Sequence, residues 1–109
     1  MYIHLIGDDR CRQIHIFLFS VVHGGYAATL LDSCMGCAVH TMLPAGKGYA
    51  TLELKVNYIR AMTDKTGLVR AEGKVISVGN QAVVAEGRLI DSSGKLLAFA
   101  TTTCLIFPI

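Results

Sequence analysis

The sequence holds no tryptophan and only two prolines, and Asp, Glu, Lys and Arg make up just 17% of its 109 residues. Ten Lys and Arg stand against eight Asp and Glu, for a net charge of +2. That balance is too mild for a chain that binds nucleic acid through its charge. The cations Lys47, Lys55, Arg60, Lys65, Arg70, Lys74, Arg88 and Lys95 are scattered rather than striped, and no basic–aromatic interleaving is present. No apolar run reaches the ~18 residues of a membrane span. The apolar stretch 14–22 is short, is interrupted by His15, and has neither a strong basic leader nor a small-residue cleavage site. These features predict a cytoplasmic protein. The four cysteines, Cys11, Cys34, Cys37 and Cys104, are too few to act as a disulfide scaffold in a chain with an apolar core. Cys34 and Cys37 have CxxC spacing and His40 follows by three residues, but no second pair completes a metal site. We expect no metal and no cofactor, with these cysteines acting as small apolar side chains in a helix.

What is abundant is apolar surface: 52% of the residues are hydrophobic. The length fits one domain over residues 1–109, which buries roughly two-thirds of the surface of its unfolded chain. So small and apolar a chain is expected to hide further surface in a partner, that is, to be an oligomer.

Residues 1–6 are apolar, 7–10 carry a turn signal, and 14–22 are strand-like, a pattern compatible with a hairpin. After His23-Gly24-Gly25, the stretch 26–40 is rich in Ala, Leu and Met without proline, which predicts a helix. It is apolar nearly all round, as buried helices are. Residues 44–48 read as a loop. Four strands follow, over 49–60, 68–78, 81–91 and 95–107, separated by turn signals at 63–67, 79–80 and 92–94. In the first, Leu52, Leu54, Val56 and Tyr58 alternate with Thr51, Glu53, Lys55 and Asn57, giving one apolar and one polar face. A meander with an apolar face must cover it, and the one apolar helix is the available cover. The predicted class is α+β: an antiparallel sheet wrapped around one central helix.

Asp32 breaks this pattern, lying mid-helix among Leu30, Leu31, Cys34 and Met35. A carboxylate buried there without a partner costs several kcal/mol or changes its protonation. Asp32 therefore either points at a polar neighbour or serves a function. At the other end of the helix, Gly24 and Gly25 offer backbone N–H groups at the positive end of the helix dipole, where an oxyanion or polarised carbonyl can bind.

Together, His23-Gly24-Gly25, Leu30-Leu31-Asp32-Ser33 and Met35-Gly36 resemble the signature of hotdog-fold thioesterases of the phenylacetate-degradation type. The resemblance continues through Pro44-Ala45-Gly46, residues 51–60 and residues 94–98. It implies an acyl-CoA thioesterase needing no metal or cofactor. Asp32 corresponds to the carboxylate that attacks the thioester carbon or activates water, Gly24 to the amide that polarises the carbonyl, and His23 to the histidine that places this loop. Gly25 belongs to the same loop, and Thr51 falls where relatives hold the water with a Ser or Thr. Arg60, Lys65 and Arg70 are candidates for the CoA phosphates, with Arg60 preferred. Tyr26, Met35, Met42 and Met62 are candidates for the acyl lining. The family's Asn or Gln six residues before the histidine is Phe17 here, its Gly three before is Ser20, and its Asn-Pro-x-Gly lead-in is missing, so residues 1–21 are atypical.

Gly24 and Asp32 are eight residues apart on one helix, roughly 12 Å along its axis. One thioester carbon cannot reach both, so this chemistry predicts a homodimer with each site built from two chains. The family commonly pairs such dimers into tetramers. A non-catalytic acyl-CoA-binding module and a hotdog dehydratase using His23 with Asp32 are the alternative readings; the Asp-Ser-x-Met-Gly continuation favours the thioesterase.

Overall fold

The computed structural model describes residues 2–7, 17–18, 21–63 and 65–109. Three short strands come first: β1 (Tyr2–Gly7), β2 (Phe17–Leu18) and β3 (Val21–Val22). The helix α1 spans Gly24–Thr41. Four longer strands follow: β4 (Lys47–Tyr58), β5 (Val69–Val78), β6 (Ala82–Asp91) and β7 (Leu96–Pro108). The main sheet has the order β1-β5-β6-β7-β4, and its neighbouring strands all pair antiparallel. The helix-then-meander reading therefore holds, with strand ends shifted by one or two residues. Arg60, expected at the end of a strand, lies just beyond β4.

The N-terminal hairpin reading is corrected. β1 pairs along its length with β5, while β2 and β3 pair only with each other. An apolar strand satisfies its backbone more fully on an existing sheet edge than in an isolated ribbon. The rest of the 7–10 turn signal, residues 8–10, and Ser20 lie outside the described residues.

Small residues let the helix settle on the sheet. The inward face of β5, β6 and β7 carries Ala71, Gly73, Ala85, Gly87, Ala98 and Ala100, all buried. Gly73 and Gly87 are register partners. A Cβ on Gly73 would stand 2.6 Å from the Cys34 carbonyl oxygen, and one on Gly87 would stand 2.9 Å from Met35 Cγ. The helix backbone thus rests almost directly on this notch, with Leu31, Met35 and Val39 filling the core beside it.

The expectation of a helix buried nearly all round is corrected: one side is open. Its sheet-facing side is buried through Ala27, Leu31, Cys34, Met35, Ala38 and Val39, while Thr29, Ser33, Cys37 and His40 are exposed. The CxxC pair is therefore split. Cys34 is enclosed, its thiol donating to the Leu31 carbonyl at 3.3 Å, and burial pushes that thiol up to about 12. Cys37 lies on the open side, so the reading of both as buried apolar groups holds for Cys34 alone.

Two outcomes follow from this packing. Gly73→Ala forces backbone against backbone and should destabilise the fold by about 1–3 kcal/mol in urea unfolding; an unchanged midpoint contradicts the close approach. In an iodoacetamide time course at neutral pH, read by peptide mass spectrometry, Cys37 should be alkylated well before Cys34, because the thiolate is the reactive species. Equal rates contradict the enclosure of Cys34.

Candidate active site

The site begins with an irregularity in β4. Strict alternation would turn Thr51 outward with Glu53 and Lys55. Instead the β4–β7 register slips between Thr51 and Glu53, leaving Leu52 as the extra residue, 62% exposed. Such a bulge reverses the facing of every residue on one side of it. Thr51 pairs with Cys104 and Leu54 with Thr102, both of which face inward and are buried. Thr51 therefore shares the face of Leu54 and Val56, towards α1. The buried Thr102 hydroxyl donates to the Glu53 carbonyl at 2.8 Å, which satisfies the disturbed backbone.

This turn brings Thr51 to Asp32. The Thr51 hydroxyl donates to Asp32 Oδ1 at 3.0 Å. Asp32 is half-buried on the side of α1 that faces β4, not enclosed within the core. Of the two readings open in the sequence, a polar partner exists, and one carboxylate oxygen is held while the group keeps access to the surface. Expected only as a holder of water, Thr51 here holds the carboxylate itself.

At the other end of α1, His23 is the N-cap. Its Nδ1 accepts the Gly25 N–H at 2.9 Å, and its carbonyl accepts the Tyr26 N–H at 3.0 Å. An imidazole acting this way is neutral and carries its proton on Nε2. The expectation that both glycine amides stand bare is corrected: the Gly25 N–H is satisfied by its own loop. The Gly24 N–H donates to no group among the described residues. Its carbonyl accepts from the Tyr58 hydroxyl at 2.8 Å, a contact between residues too far apart in sequence for their spacing to reveal it.

Thr51 meets α1 at Asp32 and Tyr58 meets it at Gly24, so β4 runs antiparallel to the helix beside it. Within one chain the two ends of the site stay apart. His23 and Asp32 are likewise not brought together, and His23 Nδ1 is occupied.

A cavity of about 280 Å³ opens beside Gly24, lined by Ala27, Tyr58, Arg60, Met62, Leu89 and Leu97 among others. The Ile59 and Arg60 N–H groups both donate to the Leu97 carbonyl, at 2.8 and 3.0 Å, and so fix this wall. Of the expected lining residues Met62 is here, whereas Met35 belongs to the core and Met42 caps the C-terminal end of α1 in an exposed position. Arg70 lies on the opposite sheet face, 3.8 Å from Glu72, and Lys65 is exposed in the turn after β4.

Residues 19–98 match the model of a family described as the thioesterase superfamily. A Halobacterium salinarum protein named as a candidate esterase is 42% identical over 67 residues, 60% of this chain and 42% of that one. A Saccharolobus solfataricus protein of the same description is 32% identical over 87 residues, 80% of this chain and 56% of that one. The chain thus spans about half the length of these curated relatives. Among solved structures, a Bacillus halodurans protein crystallised with CoA superposes with a TM-score of 0.80 at 30% identity, over 87% of this chain and 62% of that one. A thioesterase of Haemophilus influenzae shares the fold with a TM-score of 0.87 at 21% identity, over 98% and 72% of the two chains. One helix laid on an antiparallel sheet, with this match across most of its length, is the hotdog fold, and the chain belongs to the thioesterase superfamily.

Proposed function

We propose that this protein hydrolyses acyl-CoA thioesters, with Asp32 as nucleophile or general base and the Gly24 N–H polarising the thioester carbonyl. The observation that carries the reading is the Asp32–Thr51 pair: a half-buried carboxylate, oriented by one hydroxyl, on a helix whose start presents an amide with no partner among the described residues. In the reaction an oxygen, from Asp32 or from water activated by it, adds to the carbonyl carbon. The charge that develops on the carbonyl oxygen faces the Gly24 N–H and the helix dipole. The C–S bond breaks and CoA leaves as a thiolate, which takes up the proton that Asp32 removed from water or, after direct attack, a proton from solvent. If Asp32 attacked directly, water then hydrolyses the mixed anhydride and frees it.

Both groups sit on one rigid helix, so the working unit is a homodimer. β4 supports a way to build it, being a strand of 12 residues at the edge of the sheet, with β7 as its one neighbour among the described strands. If two copies pair antiparallel along β4 about a two-fold at Lys55, Leu54 stands opposite Val56 and, past the extra residue Leu52, Thr51 of one copy stands opposite Tyr58 of the other. Asp32 then comes beside Gly24 of the partner subunit. Two dimers joining into a tetramer would follow the family's habit.

The cavity beside Gly24 offers apolar room for part of the substrate, with Arg60 at its rim as the cation for a CoA phosphate. CoA in the Bacillus halodurans relative supports that substrate class. No described helix is long and apolar enough to cross a membrane, which agrees with a cytoplasmic, CoA-using enzyme of the phenylacetate-degradation type. The binding-module alternative draws on Phe17, apolar where relatives carry an amide side chain.

The test is thiol release from a panel of short, medium and aryl acyl-CoAs. We expect turnover by the wild type and a fall of about 10³-fold in kcat for Asp32→Asn, with the fold retained. Tight CoA-ester binding without thiol release would replace the enzyme by a binding module, and hydration of an enoyl-CoA would replace it by a dehydratase.

A further inference from the structure

The loop that presents the Gly24 amide contains two successive glycines, the residues with most backbone freedom. An amide that polarises a carbonyl must nevertheless keep a fixed direction. Three hydrogen bonds hold the two peptide planes that meet at Gly24. The plane carrying the Gly24 N–H is anchored through the His23 carbonyl, which accepts from the Tyr26 N–H at 3.0 Å. The next plane is held at both ends: its carbonyl, of Gly24, by the Tyr58 hydroxyl at 2.8 Å, and its N–H, of Gly25, by His23 Nδ1 at 2.9 Å. Of these groups, the Gly24 N–H alone has no partner among the described residues.

Tyr58 differs from the other anchors because it reaches the helix start from another element, the C-terminal end of β4. Its ring also lies against Gly24: a Cβ there would be 3.1 Å from Cζ and 3.2 Å from the phenol oxygen. The ring lies so close that a side chain at position 24 would have to push it aside, and the hydroxyl fixes the carbonyl, both from one wall of the cavity that Gly24 lines.

We infer that Tyr58 is a positioning residue for the Gly24 amide. Its hydroxyl ties the helix start to β4 and so aims the Gly24 N–H at the substrate carbonyl. This rests on the assignment of Gly24 as the carbonyl donor. It assigns to the Tyr58 hydroxyl a task that its ring alone cannot perform.

Tyr58→Phe keeps the ring and removes only that hydroxyl. Assayed beside the wild type and Asp32→Asn on the acyl-CoA that the wild type turns over best, it should lower kcat about ten- to a hundredfold with KM within about twofold. Its thermal midpoint should stay close to that of the wild type, and the Gly25 amide should exchange its hydrogen faster by NMR. Unchanged kcat overturns the inference, as does a loss confined to KM or matched by a general loss of stability. If Tyr58→Phe does not fold, 3,5-difluorotyrosine at position 58 keeps the donor at low pH. Its ionised phenolate cannot donate, so kcat should fall as the pH rises through the phenol's ionisation, with no such fall in the wild type; identical pH profiles overturn the inference. Should the wild type and Asp32→Asn hydrolyse none of the esters, or all equally, the thioesterase reading fails instead, and the two failures are told apart.

Discussion

The helix α1 is a rigid spacer, and the rest of the site depends on its length. Its hydrogen-bonded backbone holds Gly24 at one end and Asp32 eight residues along, a separation of roughly 12 Å that no side-chain rotation closes. A carboxylate that attacks and an amide that polarises must act on the same carbonyl group. A protein with both on one helix therefore needs a second copy to bring them together. The edge position of β4 among the described strands and the apolar composition are consistent with that requirement.

The sheet fits itself to the helix by two opposite devices. Where α1 crosses β5 and β6, side chains are removed: Gly73 and Gly87 pair across the strands and admit the helix backbone. Along β4, a residue is inserted: the bulge at Leu52 turns Thr51 inward and sets its hydroxyl on Asp32. Without that slip, Thr51 would face outward beside Glu53, and Asp32 would lose its partner. Seven residues on, Tyr58 fastens the start of the same helix. One strand thus holds both chemical ends of α1.

Much of this was legible in the sequence. Period-two alternation and turn signals located four strands, and an Ala-, Leu- and Met-rich stretch located the helix. Asp32 stood out because a carboxylate is out of place among Leu30, Leu31, Cys34 and Met35. Three features were not legible, each because it depends on contacts distant in sequence. β1 joins β5 rather than its own neighbour, since strand pairing is decided by the available edge. The bulge at Leu52 is invisible in a run that alternates cleanly, because only the register against β7 and the Thr102 hydroxyl define it. The occupation of the Gly25 amide by His23, and of the Gly24 carbonyl by Tyr58, depends on side-chain reach that spacing alone does not reveal.

The shared site is tested most directly by mixing two defective chains. Asp32→Asn lacks the carboxylate, and Gly24→Pro lacks the amide proton at a first-turn position whose backbone suits proline, the neighbouring Tyr58 ring moving aside to admit it. Each variant alone should be inactive. After co-refolding at equal amounts, half of the dimers are mixed, and each mixed dimer has one site with both native groups, so about a quarter of wild-type activity should return. A mixture as inactive as its components, with mixed dimers verified by mass spectrometry, would contradict a site built from two chains.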